Sequence, residues 1–373
     1  MSSTMESMSR GAASGRTPVR LMSLDALRGF DMFWIIGGGG LLNSLAKATG
    51  WPILEIAAAQ TEHPEWNGFL FWDLIFPTFM FVAGVAMPYS LTARIERGEP
   101  KSQLYRRVFR RALLLIVLGL VVNGALHFDF ANQRYPSVLG RIGLGYLFAA
   151  LIVMNSTVRA QIVWTIGILV GYWAAMKYVP VPGFGAGDWY PGHNLVDYID
   201  RNLLPGRLYK IVRDPEGLFS TIPAIATVLL GALAGAWLRR DDRTGAAKAT
   251  GLAIAGLVSL ACGLAWNPSF PINKNLWTSS FVLYAGGWSL LLLALFYLVI
   301  DVWQFRRWSF LFAVIGMNAI TIYVAQEIID FNRIAAAVLD KGGMHSILFE
   351  SGGLALKWTF LYVLYRFGMF LKV

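Results

Sequence analysis

Ten times along its 373 residues the chain runs into an apolar stretch of about 17–25 residues, long enough for a helix to cross ~30 Å of hydrocarbon. The stretches fall at roughly 24–46, 68–92, 112–128, 137–155, 160–179, 218–238, 249–266, 277–300, 309–328 and 353–370. A soluble protein with a very large core would not repeat such runs, and a β-barrel would show short alternating segments instead. Charged residues make up only 14% of the chain, against about 25% in an ordinary soluble domain. The expected fold is an all-α polytopic membrane protein, about ten transmembrane helices around a central cavity.

Charge sets the expected orientation. With the N-terminus in the cytoplasm, most of the 32 lysines and arginines fall on inner segments, above all Arg94 to Arg111, Arg239 to Lys248 and Arg306–Arg307. Both termini are then cytoplasmic. The net charge of +10 is mostly topological, so anionic lipid headgroups are its expected partners and nucleic acid is not. Residues 1–20 are polar and lack the apolar core of a signal peptide. They are expected to be a disordered cytoplasmic tail ahead of a single transmembrane domain, 21–373. Cys262 is the one cysteine, which excludes an internal disulfide. In this orientation His63, His127, His193 and His345 all lie at or near the outer face, with a long loop at about 180–217 rich in Pro, Gly and aromatics. A loop of that length is usually functional. Its tryptophans and tyrosines suggest an ordered lid.

Charges inside a span are costly and mark sites. Span one reads "SLDALRGFDMFWIIGGGGLL", in which Asp25, Arg28 and Asp31 repeat every three residues and share a face. Its four glycines, 37–40, are poor helix formers, expected to unwind the span or admit close backbone approach. Span two carries Asp73, a turn or two inside by these boundaries, with Pro77 four residues later. Span four carries Arg141, which needs an acidic or anionic partner; Asp73 is a candidate. Span nine carries Asn318, with Gln326 and Glu327 at its outer end.

His63 stands just before span two in "TEHPEWNGFLFWDLIFPTFMFV", near Glu62, Glu65 and Asp73. Carboxylates near an imidazole fix its tautomer and stabilise its charged form, which suits a base or nucleophile. An idle surface histidine is the plainer alternative. Metal binding by His63, His127 and His193 lacks any supporting spacing, so no metal is expected.

The segments "SLDALRGFDMFW", "HPEWNGFLFWDLIFPTFMFVAG", "YPSVLGRIGLGYLF", "DPEGLFSTIPAI", "PINKNLWTSSFVL" and "GMNAITIYVAQE" occur in an order that resembles the heparan-alpha-glucosaminide N-acetyltransferase family, from about residue 20 onward. The resemblance implies a bacterial-type member in the inner (plasma) membrane. It would take acetyl-CoA from the cytosol and acetylate an amino sugar or related glycan outside, and dimerisation would be plausible for the family. It further implies that His63 is the active-site histidine and that Asn67 and Asp73 support it. Arg28, by its basic position, and Arg141, Glu216, Asn273, Lys274, Asn275 and Asn318, by their motifs, would bind donor or acceptor. Eukaryotic members carry a further N-terminal lumenal region. They also have an asparagine shortly before the glycines of span one, a role that Asn43 or Asn67 would fill here.

The expected chemistry is acetyl transfer with the phosphates of CoA held at the basic inner mouth, by Arg28 and the Arg106 to Arg111 cluster. His63 acts either as nucleophile, through an acetyl-imidazole, or as the base for direct attack. Asn67 or Asn318 would supply the oxyanion donor. The rival readings are a sugar or anion transporter, an O-acyltransferase of an envelope glycan, and a non-catalytic envelope subunit.

Overall fold

The computed structural model describes residues 21–339 and 346–370, and the described residues are helical, with isolated bridges and no β-strand. The expected tail 1–20, His345 and Lys372 lie outside them. In chain order the helices are α1 (Met22–Phe33), α2 (Gly39–Thr49), α3 (Pro52–Ala59), α4 (Phe71–Val85), α5 (Ala93–Glu96), α6 (Lys101–Val122), α7 (Val138–Asn155) and α8 (Val158–Tyr178). There follow α9 (Leu195–Leu203), α10 (Thr221–Leu238), α11 (Gly245–Trp266), α12 (Ser279–Phe296), α13 (Phe310–Met317), α14 (Ala319–Ile328), α15 (Phe331–Leu339) and α16 (Ser346–Arg366).

Among the described residues seven helical stretches are long and apolar enough to cross a bilayer: Phe71–Glu96, Val138–Asn155, Val158–Tyr178, Thr221–Leu238, Gly245–Trp266, Ser279–Val302 and Ser346–Arg366. The pair α13 and α14, bent by 71° at a break, makes an eighth if counted as one broken span. The protein is therefore a polytopic α-helical membrane protein. The two other expected spans, 24–46 and 112–128, are helical but of a different kind. The second continues α6, whose first half carries Lys101, Arg106, Arg107, Arg110 and Arg111.

The first is broken at its glycines. Between α1 and α2 lies a π-helical turn, Trp34–Gly38, in which Gly37 takes φ +154°, a conformation that side-chain-bearing residues rarely adopt. Departure from regular α-helix disturbs the carbonyl ladder. At this turn the buried Lys357 of α16 donates to the Ile36 carbonyl at 2.7 Å. Earlier in the same stretch, α1 and α13 meet at backbone distance. A Cβ on Gly29 would stand 1.7 Å from the Phe312 carbonyl oxygen, and one on Gly316 1.8 Å from that of Asp25. Close approach through small residues is how helices pack where lipid removes the hydrophobic drive between them.

Four spans start where a side chain satisfies a free N–H group of the first turn. Ser137 caps α7 through Gly140 N, and Thr157, Thr244 and Thr278 cap α8, α11 and α12. The span Phe71–Glu96 is the most enclosed, packed against α10, α12 and α1. Helices α8, α11 and α16 are peripheral and turn most of their length outward. Val163, Ile166, Ile254, Leu257 and Val258 are exposed on α8 and α11, as lipid-facing surface requires.

The long loop between α8 and α10 is ordered around α9. Val181, Leu195 and Val196 pack with Phe270 and Leu276 from the α11–α12 turn and with Tyr172 and Met176 at the end of α8. This loop, the α3–α4 loop and the α11–α12 turn gather at one end of the bundle, the histidine end. By chain connectivity the start of α1, the arginines of α6 and the α10–α11 turn lie at the opposite end.

Candidate functional site

The α3–α4 loop brings His63 to the first turn of α4. Helix α4 begins at Phe71, later than the apolar run suggested, so Asp73 lies in its first turn, at the mouth of the span. Three N–H groups there find acceptors: Phe71 at Gln60 Oε1 (3.3 Å), Trp72 at the Gln60 carbonyl (3.0 Å) and Leu70 at Asp73 Oδ2 (3.1 Å). A helix N-terminus also favours a carboxylate electrostatically. The other oxygen, Oδ1, accepts from His63 Nδ1 at 2.6 Å. A carboxylate oxygen accepts, so this contact puts the ring proton on Nδ1 and leaves Nε2 the unprotonated nitrogen. Asp73 is buried at 1% side-chain exposure, whereas His63 is half exposed.

Lys274 reaches the same point from the α11–α12 turn. Its Nζ lies 3.3 Å from His63 Nε2 and 3.6 Å from Asp73 Oδ1. The turn is stiffened by Asn267 Oδ1, which accepts from Ile272 N, and by Asn273, whose Oδ1 accepts from Leu276 N. Asn273 Nδ2 donates to the Trp66 carbonyl (2.9 Å) and to Asn67 Oδ1 (3.0 Å), and Gly68 N donates to the Ile272 carbonyl. Burial pulls the Lys274 ammonium below the ordinary lysine range, although Asp73 and Glu216 oppose the shift.

A third segment supplies Glu216. Arg134 grips Asp214 with two hydrogen bonds, 2.7 Å from Nε and 2.6 Å from Nη2, and Nη2 also donates to Glu216 Oε2. Asp214 is buried and accepts besides from Tyr209 N and Glu216 N. Neighbouring Asp200 of α9 accepts from Leu218 N and Phe219 N, and burial pushes its carboxyl up to about 6.

Three cavities line up from this cluster. The first, about 460 Å³ and polar, is lined by His63, Glu65, Trp66, Asp73, Arg134, Tyr209, Lys210, Arg213, Glu216, Lys274 and Asn275 among others. The second, about 260 Å³, is walled mainly by Met32, Ile35, Ile75, Phe76, Phe79 and Ile142. The two share His63, Val138, Glu216 and Lys274. The third, about 90 Å³, shares Phe79, Ile142 and Ile320 with the second and is also lined by Arg28, Arg111 and Asn318.

Several expectations are corrected. Arg141 is not paired with Asp73: it is buried over the Trp277 ring at 4.8 Å and donates through Nη2 to the Gly217 carbonyl and to Ser220. Asp73 has His63 instead. Asn67 and Asn273 tie the α3–α4 loop to the α11–α12 turn and line none of the three cavities. Asn43, offered as a substitute for the asparagine of other members, donates to Thr61 at 2.9 Å and holds α2 to the loop. Asn318 sits at the α13–α14 break in the third cavity, away from those bounded by His63. Of the Arg106 to Arg111 cluster only Arg111 lines that cavity, while Arg107 pairs with Glu99. Asp31, on the face of Asp25 and Arg28, is buried with neither oxygen hydrogen-bonded. Sequence reasoning missed Arg134, Trp66, Tyr209, Lys210 and Arg213. The available signal was their position beside the "YPSVLG", "HPEWNG" and "DPEG" motifs. Among the described residues no three His, Cys, Asp or Glu groups are placed to hold a metal ion.

Fold and site together define a polytopic membrane protein whose histidine–carboxylate–lysine cluster lies between a cavity lined mainly by polar side chains and one lined mainly by apolar ones. The chain belongs to the heparan-alpha-glucosaminide N-acetyltransferase family, whose catalytic model matches residues 20–268. It is similar to the heparan-alpha-glucosaminide N-acetyltransferase of Mus musculus, with 30% identity over 84% of this chain and 56% of that protein. The Homo sapiens protein of the same name is 28% identical over 95% of this chain and 60% of its own length. The chain thus spans between half and two thirds of these relatives.

Proposed function

We propose that the protein is a transmembrane acetyltransferase that takes acetyl-CoA at its cytoplasmic face and acetylates an amino sugar or related glycan on the outer side. The observation that carries this reading is the wall of His63, Glu216 and Lys274 shared by two cavities, one lined mainly by polar side chains and the other mainly by apolar ones. The positive-inside bias supports a cytoplasmic arginine end, with both termini, and an outward histidine end, in keeping with a bacterial plasma-membrane protein. The basic inner segments then face anionic lipid.

CoA phosphates cannot enter hydrocarbon, but the slim pantetheine arm can run along an apolar cavity. Arg28 and Arg111 stand at its arginine end, and Arg111 Nε is buried there without a hydrogen-bond partner. A free guanidinium N–H at that place fits a phosphate. The thioester then lies in the second cavity and the acceptor amine in the first, whose wall includes Trp66 and Tyr209 stacked against Arg213 and Arg134. Because the two cavities are distinct, both substrates can be present together. That favours direct transfer over an acetyl-imidazole intermediate. His63 Nε2 takes the proton from the attacking amine while Asp73 stabilises the imidazolium. The placement of Asn67 and Asn318 gives no support to either as oxyanion donor.

The test is initial-velocity kinetics of purified protein with acetyl-CoA and glucosamine. Intersecting lines, and no labelled acetyl group left on the protein, support direct transfer; parallel lines with label on His63 would replace it with the acetyl-enzyme route. A transporter would move labelled sugar into proteoliposomes without any acyl-CoA.

A further inference from the structure

The nitrogen assigned to the acceptor amine is also the nitrogen that Lys274 touches. Nζ stands 3.3 Å from His63 Nε2, and Lys274 lines both the polar and the apolar cavity. A lysine only needed to balance Asp73 would have no reason to reach into the apolar side. We propose that Lys274 is the general acid of the transfer, giving its proton to the CoA sulfur as the thioester breaks, and that His63 then reloads it directly. This rests on the acetyltransferase reading above.

The protons balance without an outside carrier. The amine nitrogen attacks the carbonyl carbon and forms the C–N bond. Its departing proton goes to His63 Nε2. The C–S bond breaks, its electron pair goes to sulfur, and the Lys274 ammonium protonates that sulfur. What remains is an imidazolium 3.3 Å from a neutral amine. The proton crosses this contact, and both residues return to their starting forms. Leaving as a thiol rather than a thiolate matters most where the sulfur sits in an apolar cavity, since charge there is poorly solvated. The groups that face Lys274 are His63 on the α3–α4 loop, Asp73 on α4, Glu216 ahead of α10 and Arg141 on α7. Its lowered proton affinity, set by burial, brings it closer to that of a thiol, where general acids work best.

The test compares acetyl-CoA with phenyl thioacetate, whose thiol is acidic enough to leave without help, using glucosamine as acceptor. In wild type, kcat with acetyl-CoA should fall on the alkaline side as Lys274 loses its proton, with a midpoint below the ordinary lysine range. With phenyl thioacetate that limb should be absent. Lys274→Arg keeps the charge but cannot give up a proton. It should lower kcat with acetyl-CoA by on the order of 10²-fold or more, and with phenyl thioacetate by less than about tenfold. Equal losses for both donors, or the same alkaline limb with both in wild type, would overturn the proposal and leave Lys274 a positioning residue. The wild-type comparison stands if the variant misfolds. If wild type transfers acetyl from neither donor, the acetyltransferase reading itself fails and this proposal goes with it.

Discussion

Nδ1 of His63 lies 2.6 Å from Oδ1 of Asp73, and the other oxygen of the same carboxylate closes the first turn of α4 through Leu70 N. One side chain thus starts a transmembrane helix and orients an imidazole. Asp73→Asn preserves an acceptor for Leu70 N, so melting should shift little. Its amide can instead turn its NH2 toward His63 and select the other tautomer, leaving Nε2 protonated and unable to act as a base. Turnover should fall by roughly 10²–10⁴-fold. A fluorescence melt beside a kcat measurement separates the two effects.

Arg134 neutralises two carboxylates, one of them fully buried. Arg134→Met leaves Asp214 and Glu216 without their cation, and breaking a buried pair from one side costs about 3–5 kcal/mol. The expected outcome is a clear drop in melting temperature. Proteolysis should begin in the 179–220 loop before any transmembrane helix is cut, as limited digestion with mass mapping would show.

Arg111 tests the donor path. If its free Nε–H meets a phosphate, Arg111→Met should raise KM for acetyl-CoA by roughly tenfold, the worth of one charge-assisted hydrogen bond. KM for acetyl-pantetheine, which lacks the phosphates, should stay within about twofold of wild type. A parallel rise for both donors would place the phosphates elsewhere.

Asp200 predicts a pH effect on stability. Burial raises its carboxyl to about 6 from an ordinary 3.8, so the folded state holds a proton that the unfolded chain has lost. Stability from this group is complete below about pH 4 and is lost as pH rises through 6. Asp200→Asn keeps an acceptor for Leu218 N and removes the ionisation. It should stabilise the protein at pH 7 by on the order of 2–3 kcal/mol and leave it unchanged at pH 4. Melting curves across that range check it.

Most of the spans were legible because a long uncharged apolar run has few other solutions, and the motifs picked out His63, Asp73, Glu216 and Lys274, which line one cavity. Contacts across the chain were not. Arg141 was matched to Asp73 because both lay in apolar sequence, but the α4 boundary moved Asp73 to the helix mouth and left Arg141 to Gly217 and Ser220. Nothing local to "PINKNLW" says that Lys274 meets a histidine 211 residues away. Asn67 looked catalytic by motif, yet tertiary packing made it a tie between loops; Asn318, expected to line a cavity, does so, but in the far one rather than beside His63. Hydropathy also reads over breaks, and in span one it was the glycines at 37–40, not the apolar run, that marked the turn at Gly37.

The central claim is that His63 performs acetyl transfer where two cavities meet. The measurement is CoA release by purified wild type and His63→Ala on acetyl-CoA with glucosamine, beside a binding isotherm for acetyl-CoA. The account predicts glucosamine-stimulated release by wild type and none above background by the variant. Acetyl-CoA should bind the two proteins within a few-fold of each other. Undiminished release by the variant, or no binding of acetyl-CoA to wild type, would contradict it.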